Sequence, residues 1–300
     1  MLWMARKRWF IGFVSFTGRK SGMVDRFVAG RTLEETVPVV REFREKGIRS
    51  TLDLLGEGIT RPEEATEMAG RYLDALGKIN DLSLDSPVSL KLTQLGLDID
   101  PALCRDNLRS ILETAAGFGN FVRIDMESSR VTGETLDIFY ENFESFGPDH
   151  LGIVIQAYLY RSEQDIRKLC SSRANIRLCK GAYMEPPNVA FPAKRDVDRN
   201  FMKLSEIMLS SPGFSAIATH DEKMISHVKE FVAEKGIPLS SFEFQMLYGV
   251  RRDLQFRLRE EGYNVRVYVP YGTQWAPYYV RRLAERPANM LFILKNMFRK

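Results

Sequence analysis

The stretch Gly152-Ile-Val-Ile-Gln-Ala-Tyr-Leu159, with Glu163-Gln-Asp-Ile-Arg-Lys-Leu-Cys170 and Ile176-Arg-Leu-Cys179 after it, decides the fold. A short apolar, β-branched run reads as a buried strand. An amphipathic helical segment follows, and then a second apolar run. Strand, crossover helix and strand make one parallel unit. The same rhythm extends in both directions. Strands are predicted at Ser50–Leu55, Val88–Gln94, Phe121–Met126, Gly152–Leu159, Ile176–Cys179, Ser215–Thr219, Phe242–Met246 and Val265–Val269. Helices are predicted at Pro62–Ile79, Pro101–Ala116, Thr132–Phe146, Glu163–Cys170, Val197–Leu209, Glu222–Glu234 and Tyr248–Glu261. Eight such units without a large break predict an α/β chain folded as a (β/α)8, TIM-like barrel. An open sheet is the weaker alternative.

Ahead of the first strand, Thr32 caps a helix with Leu33, Val37, Val40 and Phe43 at helical period. Glu35 stands at capping-box spacing and Lys46-Gly47 closes the helix. The chain therefore divides into an N-terminal helical region, residues 1–48, and a catalytic barrel, residues 49–300. With 44% hydrophobic residues it has ample material for a core. A net charge of +4, spread along the chain, gives no reason to expect a nucleic-acid partner. Three cysteines provide no disulfide framework and fit a reducing compartment. No Cys/His spacing resembles a zinc site, and no apolar run reaches the ~20 residues that cross a bilayer. Met1–Arg8 is basic and Trp9–Phe16 apolar, but Thr17-Gly-Arg-Lys20 follows where a signal peptide would need a small-residue cleavage site. This segment is expected to pack on the protein, the alternative being a membrane interface.

In a barrel, chemistry sits at the C-terminal ends of the strands. Nearly every predicted strand carries polar residues there. The first ends in Gly56-Glu57. The second holds Lys91 and Gln94, and the third Arg123, Asp125 and Glu127 on one face. Gln156, Tyr158 and Tyr160 follow on the fourth, and Arg177-Leu-Cys-Lys-Gly-Ala-Tyr183 on the fifth. Thr219-His-Asp221, then Gln245 and Tyr248, then Tyr268-Val-Pro-Tyr271 complete the ring. Buried charge is costly unless paired or bound to a ligand, so one polar ligand at the barrel mouth explains this pattern better than eight separate structural accidents. After the eighth strand, Pro277 suits a helix start. Tyr278, Arg281, Arg282 and Glu285 then share one helix face, a clamp for a small carboxylate or phosphate. There is no dinucleotide fingerprint and no P-loop. Lys91 and Lys180 are candidate Schiff-base lysines. Cys179 reads as a small core filler. The residues alone thus describe a barrel enzyme for a small anion, with its mechanism open.

Four blocks carry a resemblance: Ile176-Arg-Leu-Cys-Lys-Gly-Ala-Tyr183, Ala218-Thr-His-Asp221, Phe244-Gln-Met-Leu-Tyr-Gly249 and Tyr278-Tyr-Val-Arg-Arg-Leu-Ala-Glu285. In that order they resemble the signature blocks of the proline dehydrogenase family in its monofunctional bacterial form, from about Arg26 to the end. The resemblance implies a distorted barrel with extra N-terminal helices, the last barrel helix over the site, and FAD held non-covalently. It implies oxidation of L-proline to 1-pyrroline-5-carboxylate, with electrons passed to membrane quinone. It also implies a separate 1-pyrroline-5-carboxylate dehydrogenase and a cytoplasmic enzyme peripheral to the inner membrane face. By the same resemblance, Arg281, Arg282 and Lys91 bind the proline carboxylate. Tyr271, Tyr278 and Leu247 shape its pocket, and Glu57 gates the clamp. Asp125 and Arg177 are the catalytic pair, Arg177 lying beside the flavin. Met126, Gln156, Cys179, Lys180, Gly181, Thr219 and His220 contact the flavin. The competing expectations are a flavin-free Schiff-base lyase or aldolase, and a non-catalytic barrel that binds a small anion or a membrane.

Overall fold

The computed structural model describes residues 24–279. Helix α1 (Leu33–Glu45) begins where its capping residues place it. The Thr32 hydroxyl accepts from Glu35 N at 3.4 Å, and Glu35 Oε2 accepts from Arg31 N at 2.7 Å. The box thus closes one residue ahead of the N-cap. The elements then alternate: β1 (Arg49–Leu54), α2 (Pro62–Asp81), β2 (Val88–Leu90), α3 (Pro101–Gly117), β3 (Val122–Ile124), α4 (Ser129–His150), β4 (Leu151–Gln156), α5 (Ser162–Ser171), β5 (Asn175–Cys179), α6 (Lys194–Leu209), β6 (Ser215–Ala218), α7 (Glu222–Lys235), β7 (Phe242–Leu247), α8 (Arg252–Glu260) and β8 (Val265–Tyr271). All neighbours pair in parallel, and β8 returns to β1 from Arg49↔Arg266 to Leu54↔Tyr271. The barrel is closed in sequence order, as the strand rhythm predicts.

The boundaries depart from expectation in ways that matter for the site. β2 ends at Leu90, and Leu92–Leu95 tighten into a 3-10 turn. Gln94 causes this. Its Oε1 accepts from Lys91 N at 3.0 Å, and its Nε2 donates to Leu54 O and Gly56 O, each at 2.9 Å. Gln94 therefore ties the end of β1 to Lys91. β3 ends at Ile124, so Asp125 and Glu127 lie just past the strand. α8 starts at Arg252 rather than at Tyr248, because Gly249 (φ +71°) and Arg251 (φ +52°) hold left-handed conformations that a helix excludes.

The helices bury their apolar stripes against the outer faces of the strands. Leu33, Val37, Val40 and Phe43 of α1 belong to the same core as Leu52, Val88 and Tyr72, so α1 shares the core of the barrel. A smaller cluster joins Val24, Phe27 and Val28 to Leu55, Trp275, Tyr278 and Tyr279. Residues 276–279 are helical with Pro277 in the first turn, and Tyr279 N donates to Trp275 O at 2.9 Å. The clamp residues Arg281, Arg282 and Glu285, and the basic, apolar segment Met1–Phe16, lie outside the described residues. Among the described residues no helix is long and apolar enough to cross a membrane.

The leading segment also approaches the barrel mouth closely at Gly249. A Cβ built on Gly249 would lie 1.6 Å from the backbone oxygen of Arg26. Gly249→Ala is expected to lower stability by about 1–3 kcal/mol, from the positive φ and from this overlap. Thermal denaturation checks it; an unchanged Tm would show that the segment does not hold this position.

Candidate active site

A cavity of about 620 Å³ opens at the C-terminal ends of the strands. Its floor is a run of four charges. From β1, Asp53 points inward, and Lys91 Nζ lies 3.2 Å from its Oδ1 and 3.9 Å from Asp125 Oδ2. Arg177 on β5 donates from NH1 to Asp125 Oδ1 at 2.8 Å and from NH2 to Ser89 Oγ at 3.1 Å. The phenol of Tyr268 on β8 donates to Asp125 Oδ2 at 2.7 Å, and the Arg177 guanidinium lies 5.3 Å from its ring centroid. Two carboxylates and two cations balance, so an anionic ligand would need further positive charge from above. Arg281 and Arg282, the cations expected from the sequence, lie outside the described residues.

The titration of these groups follows from their packing. Burial works to lower the Lys91 ammonium, but Asp53 and Asp125 outweigh it and hold Lys91 above its ordinary value. Burial, reinforced by Asp125 and Asp53, keeps Tyr268 a neutral phenol. Burial also pushes the Cys179 thiol up to about 12, which fits a core filler and not a nucleophile. Both candidate Schiff-base lysines are engaged by carboxylates. Lys91 is held protonated, and Lys180 Nζ contacts Asp198 Oδ1 at 2.7 Å and Asp221 Oδ2 at 2.9 Å.

Above the floor the walls turn apolar, with Met126, Val154, Cys179, Ala218, Met246 and Leu247. Buried polar atoms without protein partners lie on residues that line this space. They are Gln156 Oε1, Gln245 Oε1 and Arg177 Nε, all on side chains nine-tenths buried or more. Gly181 (φ +115°) admits the chain beside Tyr158, where a Cβ would meet the ring at 2.4 Å. His220 Nε2 accepts from Leu247 N at 2.9 Å, which leaves Nδ1 to carry the proton of the neutral ring. Apolar walls with a few unpaired, fixed donors and acceptors suit a flat, polar-edged ring system such as a flavin.

The cavity gathers Lys91, Asp125, Met126, Gln156, Arg177, Cys179, Lys180, Gly181, Thr219, His220, Leu247 and Tyr278, all named as site residues from the sequence. Glu57 follows β1 outside the lining, near enough to act on the titration of Lys91. Two assignments need correction. Tyr271 does not face the cavity. Strand alternation turns it into the buried outer core, and Tyr268 is the tyrosine of β8 that lines the site. Arg123, Asp125 and Glu127 do not act together: Arg123 belongs to the opposite end of the barrel, and Glu127 accepts from Thr93 N and Oγ1 at 3.1 and 2.7 Å. Sequence reasoning also passed over Asp53. A lone Asp in the apolar run Thr51-Leu-Asp-Leu-Leu55 was the available signal.

A closed parallel barrel with a buried charge network at this mouth defines an enzyme of the (β/α)8 class. The family model described as proline dehydrogenase matches residues 36–295. Proline dehydrogenase 1 of Bacillus subtilis (strain 168) is 44% identical over 299 residues, covering 100% of this chain and 98% of the relative. The proline dehydrogenase of Deinococcus radiodurans is 42% identical over 280 residues, covering 92% and 90%. Among solved structures, proline utilization A (PutA) from Bdellovibrio bacteriovorus, inactivated by N-propargylglycine, superposes with a TM-score of 0.82 at 26% identity. That match covers 88% of this chain and 32% of the other, so this chain spans about a third of that longer protein. The chain belongs to the proline dehydrogenase family.

Proposed function

We propose that this chain oxidises L-proline to 1-pyrroline-5-carboxylate, the first step of proline degradation to glutamate, with FAD in the barrel mouth and a quinone as the electron acceptor beyond it. The observation that carries the reading is the charge-balanced floor Asp53–Lys91–Asp125–Arg177 beneath an apolar-walled cavity. The full-length kinship gives that floor its substrate class. Gln156, Arg177, Gly181, Thr219 and His220 would hold FAD, with Met126, Cys179 and Lys180 around them. When bound, FAD supplies the acceptor for the hydride that leaves proline C5.

The chain's own residues do the rest. Lys91, with Arg281 and Arg282, takes the proline carboxylate and so orients the ring. Leu247 and Tyr278 close the pocket against water. Glu57 neutralises the first clamp arginine when no substrate is present. Arg177 offers a fixed positive charge where negative charge accumulates during reduction. Asp125 is a positioning residue, because Arg177 occupies one oxygen and Tyr268 the other.

Lys91 also gives a pH expectation. Its folded-state pKa is raised, so its contribution to stability is fully present below the ordinary lysine value of about 10.4 and is lost as pH rises through the folded value. The KM for proline should therefore show no rise from Lys91 up to about pH 10, and a Lys91→Met variant should leave the KM–pH profile unchanged in shape below that pH. A rise that vanishes in Lys91→Met would contradict the assigned charge state.

Turnover tests the function itself. Proline-dependent reduction of a soluble quinone should yield one 1-pyrroline-5-carboxylate per quinone reduced; no turnover with added FAD would sink the proposal. A separate 1-pyrroline-5-carboxylate dehydrogenase would consume the product. Peripheral attachment at the inner membrane face is proposed, with membrane contact by Met1–Phe16 as the alternative to that segment packing on the protein. Its test is liposome co-sedimentation with and without that segment, and equal pelleting would exclude it.

A further inference from the structure

The opposite end of the barrel holds a second cavity, of about 460 Å³, at the N-terminal ends of the strands. Barrels usually fill their interior with aliphatic layers. Here the lowest layer is ionic: Arg49 from β1, Arg123 from β3 and Arg266 from β8 share it with Glu243 from β7. Glu243 is already engaged. Its Oε1 accepts from Arg266 Nε at 2.7 Å and from Gln245 Nε2 at 2.6 Å, and its Oε2 lies 3.9 Å from Arg49 NH1. The other acid of the lining, Asp85, is exposed at the rim. Three guanidiniums therefore share one buried carboxylate.

Arg123 is the cation left over. It is 4% exposed, and no carboxylate of the described residues forms an ion pair with it. Its NH1 and NH2 donate to Asn175 O at 2.7 Å and to Asn175 Oδ1 at 2.6 Å, while Nε has no partner. The barrel makes room for this group. A Cβ on Gly152 would lie 2.6 Å from Arg123 NH1, and the guanidinium sits 4.8 Å from the Phe121 ring centroid. Burial, with Arg177 and Arg266 adding repulsion, holds Arg123 well below its ordinary value. A buried cation without a counter-ion is costly, and guanidiniums grip oxyanions through parallel N–H bonds.

We propose that the base of the barrel binds a small oxyanion dianion, of the hydrogen phosphate type, between Arg49, Arg123 and Arg266. Three arginines against Glu243 leave two positive charges, which a dianion balances. Arg177 and Gln245 line both cavities, so the ion lies beneath the catalytic layer. The site is independent of the substrate reading.

The test is calorimetric titration of the holoenzyme with sodium phosphate, in chloride buffer at constant ionic strength. One saturable site is expected. Arg49→Gln should weaken it about tenfold while leaving the KM for proline unchanged, as loss of a charged hydrogen-bond partner implies. Arg123→Gln should abolish binding. If that variant does not fold, Arg123→Lys, which keeps the charge and loses the unpartnered Nε donor, should weaken binding by tenfold or more. No saturable binding by the parent protein overturns the proposal. So does parent-like titration of both Arg49→Gln and Arg123→Lys, which would place the phosphate elsewhere.

Discussion

Arg177→Met is expected to lower kcat/KM for L-proline by about 10²–10³-fold, the cost of removing one preorganised charge from the place where negative charge develops. Nothing else in the floor can replace it. Arg177 bridges Asp125 and Ser89, stacks near Tyr268 and still has Nε without a protein partner. Lys91 cannot move across, because Asp53 and Asp125 already hold its ammonium. Arg177→Lys should recover only part of the loss, since an ammonium keeps the charge but not the fork. Steady-state kinetics with a soluble quinone and a Tm for each variant make the measurement. A parent-like kcat/KM in Arg177→Met would remove Arg177 from the chemistry.

Lys91→Met should act on both folding and binding. It strips the cation from the buried Asp53 and the partly buried Asp125, and breaking one side of a buried pair costs about 3–5 kcal/mol. The KM for proline should rise about 10- to 100-fold, the loss of one charged hydrogen bond to the carboxylate. The second variant separates the two effects. Asp53→Asn combined with Lys91→Met removes the stranded charge and should recover much of the stability, but none of the KM. A double variant no more stable than Lys91→Met would show that Asp53 and Lys91 are not energetically coupled.

Much of this architecture is legible in the sequence, and the misses have specific causes. Eight apolar runs interleaved with amphipathic segments suffice for a barrel, because a parallel strand buried on both faces needs a continuous apolar signature. The predicted β2 ran too long because Lys91-Leu-Thr-Gln94 has strand-like composition. Only the folded chain shows Gln94 turning back to bond Lys91 N and Leu54 O. Most of the cavity residues were found through the family blocks. Asp53 was missed because its neighbours, Leu52 and Leu54, are unremarkable core residues. Tyr268 and Tyr271 both close the same run, and only the β8 register shows which of them faces inward. Alternation puts Arg123 on the same face as Asp125, two residues on. Both turn into the barrel, but one serves its base and the other its mouth. Composition cannot separate levels along one strand.

The most direct test of the central claim is the visible absorption spectrum of the purified protein, recorded before and after anaerobic addition of L-proline. An oxidised flavin spectrum that bleaches on addition of proline is expected, with 1-pyrroline-5-carboxylate formed in equal amount. A colourless protein that fails to take up added FAD, or a flavin spectrum that proline leaves unchanged, would contradict it.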